Sequence, residues 1–183
     1  PPGRVTRVNL RRRLAACLGI IVVCAALNLA SPIVIAQQRT LDPGEYTMLF
    51  DGTSPRTRTI ALSKAPKRLD AVVTLDGDEV DAFPIDPSTA FPAKGRAGLG
   101  PLLPYRPERR TYPLFDSTSG EDVGMDYLGP GSVQGLDTYK YSATLSDGCV
   151  RTVDAERRTG RILDEVWDCG ANQWVLAEET KAA

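Results

Sequence analysis

The chain has 183 residues, room for one anchor segment and one domain of about 145 residues. It contains no histidine, which removes Ser-His-Asp and Cys-His catalytic sets, the usual zinc ligands and the commonest general base near neutral pH. Net charge is −1, but five of the 22 basic residues and none of the 23 acidic ones precede residue 37, and an acidic body of this kind argues against nucleic acid.

Residues 1–13 form a basic arm carrying Arg4, Arg7, Arg11, Arg12 and Arg13. Residues 14–36 follow without a charge. As a helix this run would span about 34 Å, enough for a bilayer core. With the positive charge all on one side, the N-terminus is expected in the cytoplasm and the body outside the plasma membrane. The same residues read equally as an export signal ending at Val34-Ile35-Ala36. The expectation carried forward is a retained, single-pass anchor. A lipobox at Leu14-Ala15-Ala16-Cys17 is discounted, because the apolar core follows its cysteine instead of preceding it. Within the run, Ala15 with Gly19 and Ala26 with Ala30 are small residues at four-residue spacing, and Asn28 is a polar group that lipid would not satisfy. These five residues are the candidate helix-packing surface toward integral membrane partners.

Residues 37–45 read as a connector, and 46–183 as a β-rich extracytoplasmic domain. Tyr46–Phe50, Thr57–Leu62, Leu69–Leu75 and Val80–Ile85 alternate or are β-branched, with Asp51-Gly52 and Asp76-Gly77 as turns. Residues 84–107 hold six prolines and three glycines, too many for a helix or a central strand. The Gly95–Gly100 stretch lacks the Gly-Lys-Ser/Thr ending of a phosphate loop, so this segment is expected to drape over a partner or over the domain's own core. Further strands are expected at Thr111–Asp116, Val123–Leu128, Leu136–Leu145, Cys149–Asp154 and Arg161–Trp167, with Gly129-Pro130-Gly131 as a turn. Asn172–Glu179 is either a last strand or a short helix. The fold class is therefore mainly β, an antiparallel meander that leaves α+β open.

Pairing Asp154 with Arg161 would set Cys149 nearest Val166, so register alone does not join Cys149 to Cys169. The extracytoplasmic compartment favours that disulfide nonetheless. The acids at Asp76, Asp78, Glu79 and Asp81 lack the loop pattern of an EF-hand and read as a solvated turn. Arg96, Arg106, Arg109 and Arg110 are the candidate partner-facing loop residues, suited to anionic lipid or an acidic partner. No catalytic, metal or cofactor site is expected.

Arg109-Arg110-Thr111-Tyr112-Pro113-Leu114-Phe115-Asp116, Gly129, and Gly135-Leu136-Asp137-Thr138-Tyr139-Lys140-Tyr141 resemble an actinobacterial family of membrane-anchored proteins, the PorA family or domain of unknown function 3068. The resemblance implies a cell-envelope protein at the outer side of the inner membrane and supplies no catalytic residues. Members of that family usually end in a second membrane helix, whereas one helix is expected here. Two functions follow as expectations. One is a non-catalytic accessory subunit of a larger membrane complex, with an actinobacterial cytochrome bcc–oxidase supercomplex as a host. The other is a module binding envelope lipid or glycolipid within a curved sheet.

Overall fold

A computed structural model describes residues 17–21, 24, 41–93, 95–96 and 98–182. The chain divides into two units, Pro1–Arg39 and Thr40–Ala183. In the first, residues 17–21 and 24 are helical and exposed. No helix among the described residues is long and apolar enough to cross a membrane. The expected anchor at 14–36 lies mostly outside the described residues, as do Ala15, Ala26, Asn28 and Ala30.

The second unit is built from ten strands: β1 (Gly44–Gly52), β2 (Arg56–Ala65), β3 (Arg68–Leu75), β4 (Asp78–Ile85), β5 (Tyr112–Asp116), β6 (Glu121–Val133), β7 (Leu136–Thr144), β8 (Val150–Glu156), β9 (Ile162–Cys169) and β10 (Asn172–Ala182). All neighbours are antiparallel, in the order β4-β3-β2-β1-β10-β9-β8-β7-β6-β5. Two hairpin-linked runs, β1–β4 and β5–β10, are thus joined by the pairing of β1 with β10. The last segment is a strand because β1 offers it a full ladder, from Gly52 opposite Trp174 to Glu45 opposite Ala182.

Side-chain alternation sorts the two faces. Met48, Phe50, Ile60, Leu62, Leu69, Ala71, Val73, Phe83 and Ile85 form one buried cluster. Tyr112, Leu114, Met125, Tyr139, Tyr141, Val153 and Ile162 form another, and Trp167 and Leu176 pack against both. Between the buried positions of β2 stand Thr57, Thr59 and Ser63, which are half-buried or exposed. The segment between β4 and β5 is irregular, as its proline content requires, yet it fills the inside of the sheet. Its Leu99 and Leu103 belong to the second cluster, and Leu99 bridges to Leu114 of β5.

Three expectations are corrected. First, Gly129-Pro130-Gly131 is not a turn but part of β6, which runs on to Val133; the turn is Gln134-Gly135, both at positive φ (50° and 80°) as a two-residue hairpin needs. Pro130 is tolerated because β5 pairs with β6 only up to Met125, so beyond it one side of β6 has no ladder to break. Second, the β8–β9 register differs from the one expected. Ala155 pairs with Ile162, a bulge follows Asp154, and Val150 then faces Asp168. That shift sets Cys149 against Cys169 at a Cα separation of 4.2 Å, and the two are disulfide-bonded. Third, the strands do not form one continuous meander, since the β1–β10 pairing joins the chain's early and late halves.

Gly160 closes the β8–β9 turn at φ 74°, and a Cβ there would lie 2.2 Å from the Pro104 carbonyl oxygen. Gly160→Ala is therefore expected to destabilise the fold by about 1–3 kcal/mol, through both the positive φ and the overlap. Urea denaturation checks this; an unchanged midpoint would show that the turn and the 103–104 segment can separate freely.

Candidate functional site: a cationic cleft

Arg106, Arg109 and Arg110 lie where the inner segment rises to rejoin the sheet at β5. Two tyrosines pin this stretch: Tyr112 Oη accepts a hydrogen bond from the Glu108 amide at 2.6 Å, and Tyr141 Oη donates to the Glu108 carbonyl at 2.7 Å. Burial pushes the Tyr141 phenol above its ordinary pKa of 10, which keeps it a proton donor. Tyr127 packs edge-on against both Tyr139 and Tyr141, at 5.4 and 5.7 Å between ring centres.

On the far side, the turn after β8 is tied by Glu156. Its carboxylate accepts from the Arg158 amide (3.1 Å), the Thr159 amide (2.8 Å) and the Thr159 hydroxyl (2.5 Å). Burial opposes ionisation of Glu156, but these Thr159 and Arg158 bonds outweigh it and hold its pKa below the usual value. Arg157 and Arg158 are thereby held at the same end of the sheet as Arg106. Between the two lies an open cleft of about 630 Å³, lined by Arg106, Pro107, the hairpin residues Gly135 to Asp137, Tyr139 and Glu156 to Arg158.

Tyr139 is the focus of the cleft. Arg109 Nε donates to its hydroxyl oxygen at 3.1 Å, and the Arg109 and Arg157 guanidinium carbons lie 5.4 and 5.0 Å from its ring centre. The Arg109 bond, with help from Arg157, holds the phenol below its ordinary pKa. Chemically, this is a setting for a negative charge: convergent guanidiniums with a phenol between them.

The other expected partner-facing residues separate. Arg110 lies over the Tyr112 ring and pairs with Glu108 at 2.9 Å, exposed. Arg96 turns inward instead. Its guanidinium is sandwiched between Phe83 of β4 and Phe115 of β5, 4.2 and 3.9 Å from their ring centres, and it bonds to Asp81. It joins the two edge strands, so it is spent on the fold. Gly19, in the short described helical stretch, has nothing within 4 Å of where a Cβ would stand. The sequence reading missed Arg157 and Arg158; the adjacent Arg-Arg pair in a Glu-capped turn was the available signal.

A second charged group lies deep in the sheet. Glu165 is fully buried and receives Arg58 Nη1 at 2.8 Å, Arg151 Nε at 2.8 Å and Trp167 Nε1 at 2.6 Å. Burial alone would raise its pKa, but Arg151 and Arg58 bring it down to about 2. A void lined by Phe50, Arg56, Arg58, Leu75, Trp167 and Trp174 measures about 20 Å³, the room of roughly one water. Apart from Arg58 Nε, which is buried without a partner among the described residues, the donors and acceptors here are turned on one another, and the triad cross-links β2, β8 and β9.

Together these features define an all-β domain with a filled interior and a cationic cleft at one end. Residues 85–175 match the family model described as Porin PorA, and over that span the chain resembles the PorA family. No curated protein matches the chain. Among solved structures it is similar to an outer membrane lipoprotein-sorting protein domain from Vibrio parahaemolyticus, at 8% identity and TM-score 0.26, covering 82% of this chain and 91% of that one. It is also similar to a DUF1329 family protein from Desulfovibrio piger, at 13% identity and TM-score 0.26, covering 86% and 91%.

Proposed function

We propose that this chain is a non-catalytic, envelope-associated accessory domain that works by binding at its cationic cleft. The observation that carries this reading is the filled interior: residues 98–104 are mostly buried on the inside of the sheet, and Glu165 is fully buried with Arg58 and Arg151 paired to it. That arrangement disfavours a carrier of lipid cargo within the sheet, and moves the working surface outside. The PorA resemblance supports an envelope setting. A pore through this domain is disfavoured, because its apolar side chains face inward and Thr57, Thr59, Asp126, Lys140 and Thr152 do not, the reverse of a membrane-spanning barrel.

In this reading residues 14–36 hold the domain at the outer side of the plasma membrane, beside integral membrane partners. A respiratory supercomplex of the actinobacterial type is one candidate host. The test is extraction of the full chain from native membranes in mild detergent, beside the double variant Arg106→Glu/Arg157→Glu. The wild type is expected in a larger assembly, and the variant is expected to be released. A wild type that runs as a free monomer, or a variant retained to the same extent, would overturn the reading.

A further inference from the structure

We propose that the cleft is a binding site for a phosphate group carried by an amphiphilic ligand, with Tyr139 as its central hydrogen-bond donor. The inference rests on the reading of the cleft as the working surface and names the chemistry it recognises.

Tyr139 is only 8% exposed, and its hydroxyl accepts from Arg109. A phenol has one proton to donate, and none of the described residues accepts it. The cleft is the direction left for that proton. A phenol whose oxygen already receives a guanidinium is a polarised, stronger donor.

Around it, four arginines face two carboxylates. Asp137 is taken by Arg157 at 3.2 Å, and Glu156 by the amides and hydroxyl of its own turn. Arg106 has no ion pair among the described residues and sits at φ 52°, a strained conformation for arginine and of the kind found at ligand-binding positions. Among the described residues Arg158 makes no ion pair within bonding distance, and Glu156, the carboxylate near it, is already engaged by the amides and hydroxyl of its own turn. The set therefore retains positive charge and donors from three separate stretches: residue 106, residue 139 and residues 157–158. A carboxylate, with two oxygens, matches one guanidinium; a tetrahedral phosphate, with three or more, matches several donors arriving from different directions.

The cleft is larger than a phosphate needs, and its volume lies in the range of small-molecule sites. Its wall includes Leu136, which is 49% exposed at the hairpin tip. An apolar lip beside a cationic centre suits a phosphorylated amphiphile. The same phosphate chemistry comes from a lipid headgroup or from a soluble phosphate ester.

Two probes separate these sources: inorganic phosphate by calorimetry, and flotation with phosphatidylcholine vesicles with or without phosphatidylglycerol. The full chain in detergent is used for the first and reconstituted chain-free vesicles for the second. Saturable phosphate binding that Tyr139→Phe weakens roughly tenfold, and Arg106→Gln by at least as much, is the expected result. Folding of each variant is checked by its circular dichroism and by its intact disulfide. Preference for phosphatidylglycerol vesicles that competing phosphate abolishes assigns the group to a headgroup; phosphate binding without that preference assigns it to a soluble ester. Equal binding by wild type and both variants, or no saturable phosphate binding by the wild type, overturns the proposal. If the proposal fails while Arg106→Glu/Arg157→Glu still releases the chain from its assembly, the cleft docks an anion other than phosphate and the accessory reading survives.

Discussion

Glu165→Gln is expected to lower the unfolding free energy by about 3–5 kcal/mol, a large share of the stability of a domain this size. The substitution keeps the shape of the side chain and removes its charge. Arg58 and Arg151, each about 5% exposed, would then face one another with no buried anion between them. Both guanidiniums are almost wholly buried, and removing one partner from a buried ion network leaves most of the desolvation cost of the rest. The pH dependence follows from the same group. Its folded pKa of about 2 lies below the ordinary 4.5, so its contribution is fully present above about pH 4.5 and is lost as pH falls toward 2. Asp116 acts in the same window: burial opposes its charge, but bonds from Ser146, Thr118 and Ser119 hold its pKa at about 2. Urea titrations between pH 7 and pH 2 should show a shallower acid slope in E165Q than in wild type. Equal slopes would mean that the triad is solvated.

Removing the disulfide ranks second. Cys149→Ser/Cys169→Ser is expected to cost about 3 kcal/mol, because the bridge closes a loop of 20 residues in the unfolded chain. In the folded state the same two positions already face each other across β8 and β9, so little native geometry depends on the bond. The variant should fold and show its loss mainly in the urea midpoint, and wild type with reductant should match it. Midpoints unchanged by reductant would remove the bridge from the stability account.

Nine strand segments were legible because alternation, β-branched residues and Gly/Asp turns are local signals, while the last, at Asn172–Glu179, stayed open between strand and helix. What was not legible was non-local. Arg58 and Glu165 are 107 residues apart, and nothing in either neighbourhood announces the other. The pairing of β1 with β10 is of the same kind. The Cys149–Cys169 bridge was expected from compartment and not from register, because the ladder starts two residues off the expected pairing, at Ala155–Ile162, and a bulge at Asp154 adds a third. Arg96 stood in a proline- and glycine-rich stretch that reads as exposed, yet Phe83 and Phe115 close over it from two different strands. The cleft was half legible: Arg106, Arg109 and Arg110 stood out as a basic group, while Arg157 and Arg158 joined it only through the folding of β8 onto β7.

On this reading the domain binds through the outside of its cationic end, with its interior closed. Hydrogen–deuterium exchange of the full chain within its native assembly, compared with the chain alone, tests this most directly. Added protection is expected at residues 106–109, 134–139 and 156–160, with the segment around Leu99 and Leu103 unchanged. Protection gained instead on β2 and β3, or exposure gained at Leu99 and Leu103, would contradict it.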